Sequence, residues 1–114
     1  MRKVLLFVVF SVAFSLPAQQ SRTLDSLYSV LKNAKSDSVR LHTRSEIGGE
    51  TPIFRIGYWD TLYKDAETAN VKDVQSYALN NLGYIYFNQG NIAEALNYFK
   101  KGLLIQEEIG DLKA

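Results

Sequence analysis

The residues best equipped for chemistry cluster between Asp37 and Glu46, where Asp37, Ser38, His42, Ser45 and Glu46 bring carboxylates, hydroxyls and the chain's single imidazole into one short stretch. On paper these are the parts of a hydrolytic triad: a hydroxyl nucleophile, an imidazole base and a carboxylate to orient it. The stretch has a helical pattern, so Ser38 and Ser45 each share a face with His42. One helix cannot also arrange all three groups around a substrate and supply an oxyanion site. A small hydrolase working through His42 is therefore a disfavoured alternative, and no catalytic residue is expected. With one histidine and no cysteine the chain lacks the ligands of a zinc site, and no metal or cofactor is expected. Gly48-Gly49 has neither the preceding strand nor the following lysine of a phosphate loop, and it predicts a helix stop. Glu107 and Glu108 diverge on a helix and predict a solvated face.

The stretch best able to position anything is Leu79 to Phe99, LNNLGYIYFNQGNIAEALNYF. Leu79, Leu82, Gly83 and Tyr86 recur three or four apart and share one helical face, as Ile92, Ala95, Leu96 and Phe99 share another. Gly90 can adopt the left-handed conformation that ends a helix. Asn91 can cap the next helix, with Glu94 completing a capping-box pattern. Small residues at Gly83 and Ala95 allow two antiparallel helices to approach closely.

Leu79-x2-Leu82-Gly83-x2-Tyr86 followed by Ala95-x3-Phe99 resembles the tetratricopeptide repeat, with Leu79 in the tryptophan slot and Glu107 where the terminal proline falls. The resemblance implies an all-α fold of antiparallel helical hairpins stacked as a short right-handed solenoid. It further implies that the first helix of the repeat lines a concave groove, with Tyr77, Asn80, Tyr84, Phe87 and Asn88 facing a protein or peptide ligand. Aromatic rings give contact area at low entropic cost, and asparagine amides can pair with an extended backbone. Family members that clamp a C-terminal carboxylate place a lysine and an asparagine one turn apart on this helix. Here Asn80 and Tyr84 hold that spacing, so such a clamp is not expected. The stretch from about 73 to 111 also resembles the extracytoplasmic repeat regions of bacterial sensor proteins, in which an array precedes a membrane helix and a histidine kinase or DNA-binding output domain. A signal-input fragment of such a protein is the alternative to a free scaffold.

Arg2 and Lys3, an apolar run from Val4 to Phe14, and the Pro17-Ala18 junction describe a secretory signal peptide over residues 1–18, with Gln19 opening the mature chain. The run is short against the roughly 20 residues of a spanning helix, so membrane insertion is not expected after cleavage; a retained anchor is the other reading. An exported, periplasmic or extracellular location follows. Of the thirteen basic and twelve acidic residues, only Arg2 and Lys3 fall in the signal, which leaves the mature chain at about −1. That balance argues against the concentrated basic face of a nucleic-acid binder.

A polar leader and an N-terminal helix occupy 19–36, the helix carrying Leu24, Leu27, Val30 and Leu31 behind Thr23. Aligning Ile47-Gly48 with Leu82-Gly83 and Tyr63-Ala66 with Phe99-Gly102 gives offsets of 35 and 36, near the period of about 34 for the resembled class. Residues 37–72 thus read as a degenerate first hairpin, departing at Arg44, Thr51 and Trp59. Its first helix would carry Val39, Leu41 and Ile47 and stop at Gly48. Its second would open at Pro52 and include Ile53, Phe54, Ile56, Tyr58, Trp59, Leu62, Tyr63 and Ala66. Residues 73–110 are the clear repeat, ended by Gly110, and 111–114 would begin a further, missing unit. Asp37, Asp73 and Asp111 read as helix caps. Leu103, Leu104, Ile105 and Ile109 would need cover from a next unit or from self-association through the open C-terminal helix face.

Overall fold

The computed structural model describes residues 23–50 and 55–113, and every regular element in them is helical. In chain order these are α1 (23–32), α2 (Asp37–Glu50), α3 (Ile56–Thr68), α4 (Lys72–Asn88) and α5 (Ile92–Lys113). The fold is all-α, with the character of a helical repeat. The signal peptide, the start at Gln19, the 19–22 leader, and Thr51, Pro52, Ile53 and Phe54 lie outside the described residues.

The turns after α3 and α4 have the same construction. At the first, Asn70 takes φ 58°, its N–H donates to the Glu67 carbonyl, and the Val71 N–H reaches back to Ala66 at 2.9 Å. At the second, Gly90 takes φ 81°, donates to Phe87, and the Asn91 N–H reaches back to Tyr86 at 2.9 Å. Both are Schellman reversals, which satisfy the last carbonyls of a helix while turning the chain around. Asparagine can replace glycine here because it tolerates the left-handed region better than other side chains. The Asn91 side chain then accepts the Glu94 N–H at 3.4 Å and opens α5 as its sequence predicts.

The core lies where α4 meets α2, α3 and α5. Leu41 from α2, Trp59, Leu62 and Ala66 from α3, and Val74, Ala78, Leu82 and Ile85 from α4 form one buried cluster. Leu79 and Ala95 are also buried, on the side where α4 meets α5. Burying a leucine of this kind stabilises by about 1.5–3 kcal/mol before the entropy of ordering is subtracted. Polar groups inside are satisfied: Gln75 donates to the Ala66 carbonyl at 3.1 Å, and Thr43 to Val39 at 2.7 Å.

Each hairpin crosses at a glycine beneath an aromatic ring. A Cβ at Gly83 would lie 2.5 Å from the Phe99 ring, and one at Gly48 would lie 2.4 Å from the Trp59 ring. Trp59 stands 36 positions before Ala95, so the ring that fills the first crossing hangs one turn earlier than the ring that fills the second. The departure at Trp59 is therefore a relocation of bulk. At Arg44, the other departure within the described residues, the side chain pairs with Asp65 at 2.8 Å, while its carbonyl accepts the Tyr58 hydroxyl.

Several expectations are corrected. Gly48 and Gly49 do not stop α2, which continues to Glu50, because Gly48 is needed for close approach to Trp59. α3 opens at Ile56, since Arg55 is extended at φ −90°, ψ 116° and interrupts any helix running on from Pro52. α2 is capped by Ser36, whose hydroxyl accepts the Val39 N–H at 3.2 Å, while Asp37 pairs with Arg40. Val71 holds the N-cap position of α4, with Asp73 inside its first turn. α5 passes through Gly110 and Asp111 to Lys113, so neither a stop nor a new cap occurs there. Val39, Ile92 and Leu96 are exposed, because the buried faces of their helices turn toward other positions, and on α1 Val30 is exposed while Leu24, Leu27 and Leu31 are half-buried.

Candidate peptide-binding groove

The outward face of α4 follows from its core face. Val74, Ala78, Leu82 and Ile85 point inward, so Tyr77, Asn80, Tyr84, Phe87 and Asn88 fall on the other side of the same helix. Tyr77, Tyr84 and Phe87 are 40%, 62% and 54% exposed, an unusual share of aromatic surface for one helix. Tyr77 stands edge-on to Trp59 at 5.7 Å, and Tyr84 edge-on to Phe99 at 5.4 Å. These contacts fix the two rings while leaving a flank of each in solvent. Asn81, which the sequence reading omitted, is half-buried nearby and donates to the Tyr77 carbonyl at 2.9 Å.

Tyr77 and Asn80 come together in a groove of about 320 Å³ whose other walls are Asp73, Ser76, Gln106 and Ile109. Asn80 sits over Gly102, where a Cβ would lie 2.7 Å from its amide oxygen. Asp73 and Ile109 are shared with a second, more apolar groove of about 530 Å³, reached between His42, Val71 and Lys72. Tyr84, Phe87 and Asn88 line neither hollow; they lie on later turns of α4, toward its C-terminal end.

The charges on these walls are matched. The Nδ1 of His42 lies 2.7 Å from the Ser38 carbonyl, and its Nε2 lies 2.7 Å from Asp73 Oδ2. A carbonyl and an ionised carboxylate only accept, so this geometry favours the doubly protonated ring, in which both nitrogens donate. The Asp73 hydrogen bond, followed by that to Ser38, raises the His42 pKa above 6.5, against a smaller opposing effect of burial. Burial works against ionisation of Asp73, but the hydrogen bond and charge of His42, with the Val74 N–H, hold its pKa below the usual value. Lys72 pairs with Glu108. In the doubly protonated form neither ring nitrogen has a lone pair for Ser38, whose hydroxyl lies 3.3 Å away, so that form offers no general base. Among the described residues no cluster of three or more potential ligands could hold a metal ion. The arrangement offers aromatic faces, amides and balanced charge.

His42 and Asp73 are the site residues whose pairing the sequence concealed, since they are 31 positions apart and on different helices. Residues 76–108 match the family model of the tetratricopeptide repeat. No curated protein and no solved structure matches the chain.

Proposed function

We propose, taking residues 76–108 as a tetratricopeptide repeat, that this chain is an interaction scaffold whose α4 face receives an extended peptide or protein segment. The observation that carries the reading is the trio Tyr77, Tyr84 and Phe87, exposed on one helical face with Asn80 and Asn88 beside them. Rings in this setting cover apolar side chains, and the amides answer the peptide backbone. The paired charges of His42, Asp73, Lys72 and Glu108 favour a neutral ligand segment over a phosphate chain. Selection from a displayed random peptide library, followed by calorimetry with the selected peptide, tests it. Tyr84→Ala with Phe87→Ala is expected to weaken binding at least about tenfold with little change in melting temperature, as loss of interface anchors does. Equal binding by that variant overturns the assignment.

The scaffold is further proposed to act outside the cytoplasm, supported by the basic start at Arg2-Lys3 and the Val4–Phe14 apolar run. Mass spectrometry of exported material is expected to find Gln19 first; intact Met1 in the membrane fraction would instead establish an anchor. An extracytoplasmic repeat also suits the input region of a two-component sensor. A reading frame continuing past Ala114 into a membrane helix and kinase core would support that narrower role, and further repeats followed by a stop would refute it.

A further inference from the structure

α5 carries a second apolar face that its packing on α4 does not explain. Ala95 and Gly102 are buried toward α4, whereas Leu96, Leu103 and Leu104 are 53%, 59% and 60% exposed. With Lys100 and Glu107, these leucines follow the i, i+4, i+7, i+8, i+11 spacing of one helical stripe, turned outward from the core. The offset of 36 that pairs Ala66 with Gly102 places Leu96, Lys100, Leu103 and Leu104 opposite Asp60, Lys64, Glu67 and Thr68 of α3. α3 already has the next helix, α4, packed against it, yet Lys64, Glu67 and Thr68 remain exposed and Asp60 half-exposed. A further repeat stacked on α5 in the same manner would therefore leave this stripe in water. Three positions that are polar on α3 are leucine on α5, and on that account the leucines call for a different occupant.

We propose that the occupant is a second copy of this chain, with the two α5 helices antiparallel about a two-fold axis passing between Leu103 and Leu104. Reversing the stripe about that point sets Leu103 against the second copy's Leu104, and Lys100 against its Glu107, each contact occurring twice as an isologous interface requires. On α3, Lys64 pairs with Asp60 at 3.0 Å. Leu96 takes that acid's place on α5, and among the described residues neither Lys100 nor Glu107 forms an ion pair. Glu107 lies two turns, roughly 10 Å, along the helix from Lys100, out of reach within one copy but adjacent across the seam. The seam rests on the α5 stripe alone and does not depend on the Tyr77, Tyr84 and Phe87 face of α4 binding a peptide.

Sedimentation equilibrium of the mature chain from Gln19 over a wide concentration range, with circular dichroism to verify folding, tests the seam. Wild type is expected to follow a monomer–dimer equilibrium. Leu104→Asp is expected to raise the dissociation constant at least about tenfold by burying a charge between leucines. Lys100→Glu is expected to raise it about three- to tenfold through two like-charged contacts, and Lys100→Glu combined with Glu107→Lys to bring it back to within about twofold of wild type. A wild-type monomer at high micromolar concentration, association indifferent to Leu104→Asp, or a charge-exchanged double variant that stays weak would each overturn the proposal.

Discussion

His42 ties α2 to α4 through its hydrogen bond to Asp73, and its charge state sets the pH range of that tie. Because the folded-state pKa of His42 is raised, its contribution is fully present below 6.5 and fades as pH climbs through the raised value. The lowered Asp73 pKa gives a contribution present above 3.8 and lost as pH falls through the lowered value. Both side chains are substantially exposed, so the surface-pair range of about 0.2–1 kcal/mol applies. Urea midpoints are expected to drop between pH 6 and 9 in wild type and to lose that slope in His42→Gln, a clean comparison because no other histidine is present. A slope of equal size in the variant would assign the effect elsewhere. The two crossing glycines make a graded pair. Trp59 is 2% exposed and enclosed, whereas Phe99 is half-buried and its ring has room to yield. Gly48→Ala should therefore cost about 1–3 kcal/mol net of the roughly 1 kcal/mol gain in helix propensity. Gly83→Ala should cost less, and Gly83→Leu should again reach about 1–3 kcal/mol. Chemical melts of the three variants check the order, and a stabilised Gly48→Ala would place that crossing elsewhere.

At the scale of elements, the turn at Gly90 was legible because glycine, a capping asparagine and two apolar periodicities agree there. The limits of α2 and α5 were not, because glycine has two uses that a sequence does not separate. Gly48 is a point of close approach inside a helix, and Gly110 also continues one; among the described glycines only Gly90 takes positive φ. Likewise the aromatic face of α4 was anticipated only through the resemblance to the repeat, and the sequence already left Leu103 and Leu104 in need of cover; what α3 adds, as a packed helix for comparison, is that a stacked repeat would leave them in water. The Asn70 turn yields a further prediction. Asn70→Gly should stabilise modestly, by up to about 1 kcal/mol, because glycine removes the left-handed cost, whereas Asn70→Val should lose about 1–2 kcal/mol. Thermal melts in which the two substitutions shift stability alike would contradict the shared construction of the turns.

Across the whole molecule, α4 packs against α2, α3 and α5, so the hairpins on either side of the Asn70 turn share one core. Nearest-neighbour coupling of this kind makes a short helical array unfold as a unit when the shared interface outweighs the instability of either part. Far-UV dichroism, which reports all helices, and the fluorescence of Trp59, which reports the α2–α3–α4 junction, are expected to give coincident unfolding midpoints. Separated midpoints would show that α4 and α5 survive without α2 and α3. Amide exchange should be slowest in the middle of α4, whose neighbours enclose it, and fastest toward the end of α5. The chain has one tryptophan, and its ring lies 5.3 Å from Tyr58 and 5.7 Å from Tyr77. At such separations light absorbed by either tyrosine passes to the indole and leaves as tryptophan emission. Tyr77 also stands at the mouth of the candidate groove, so a peptide that displaces its ring would alter this transfer, and the unlabelled protein would signal its own occupancy as a change of colour.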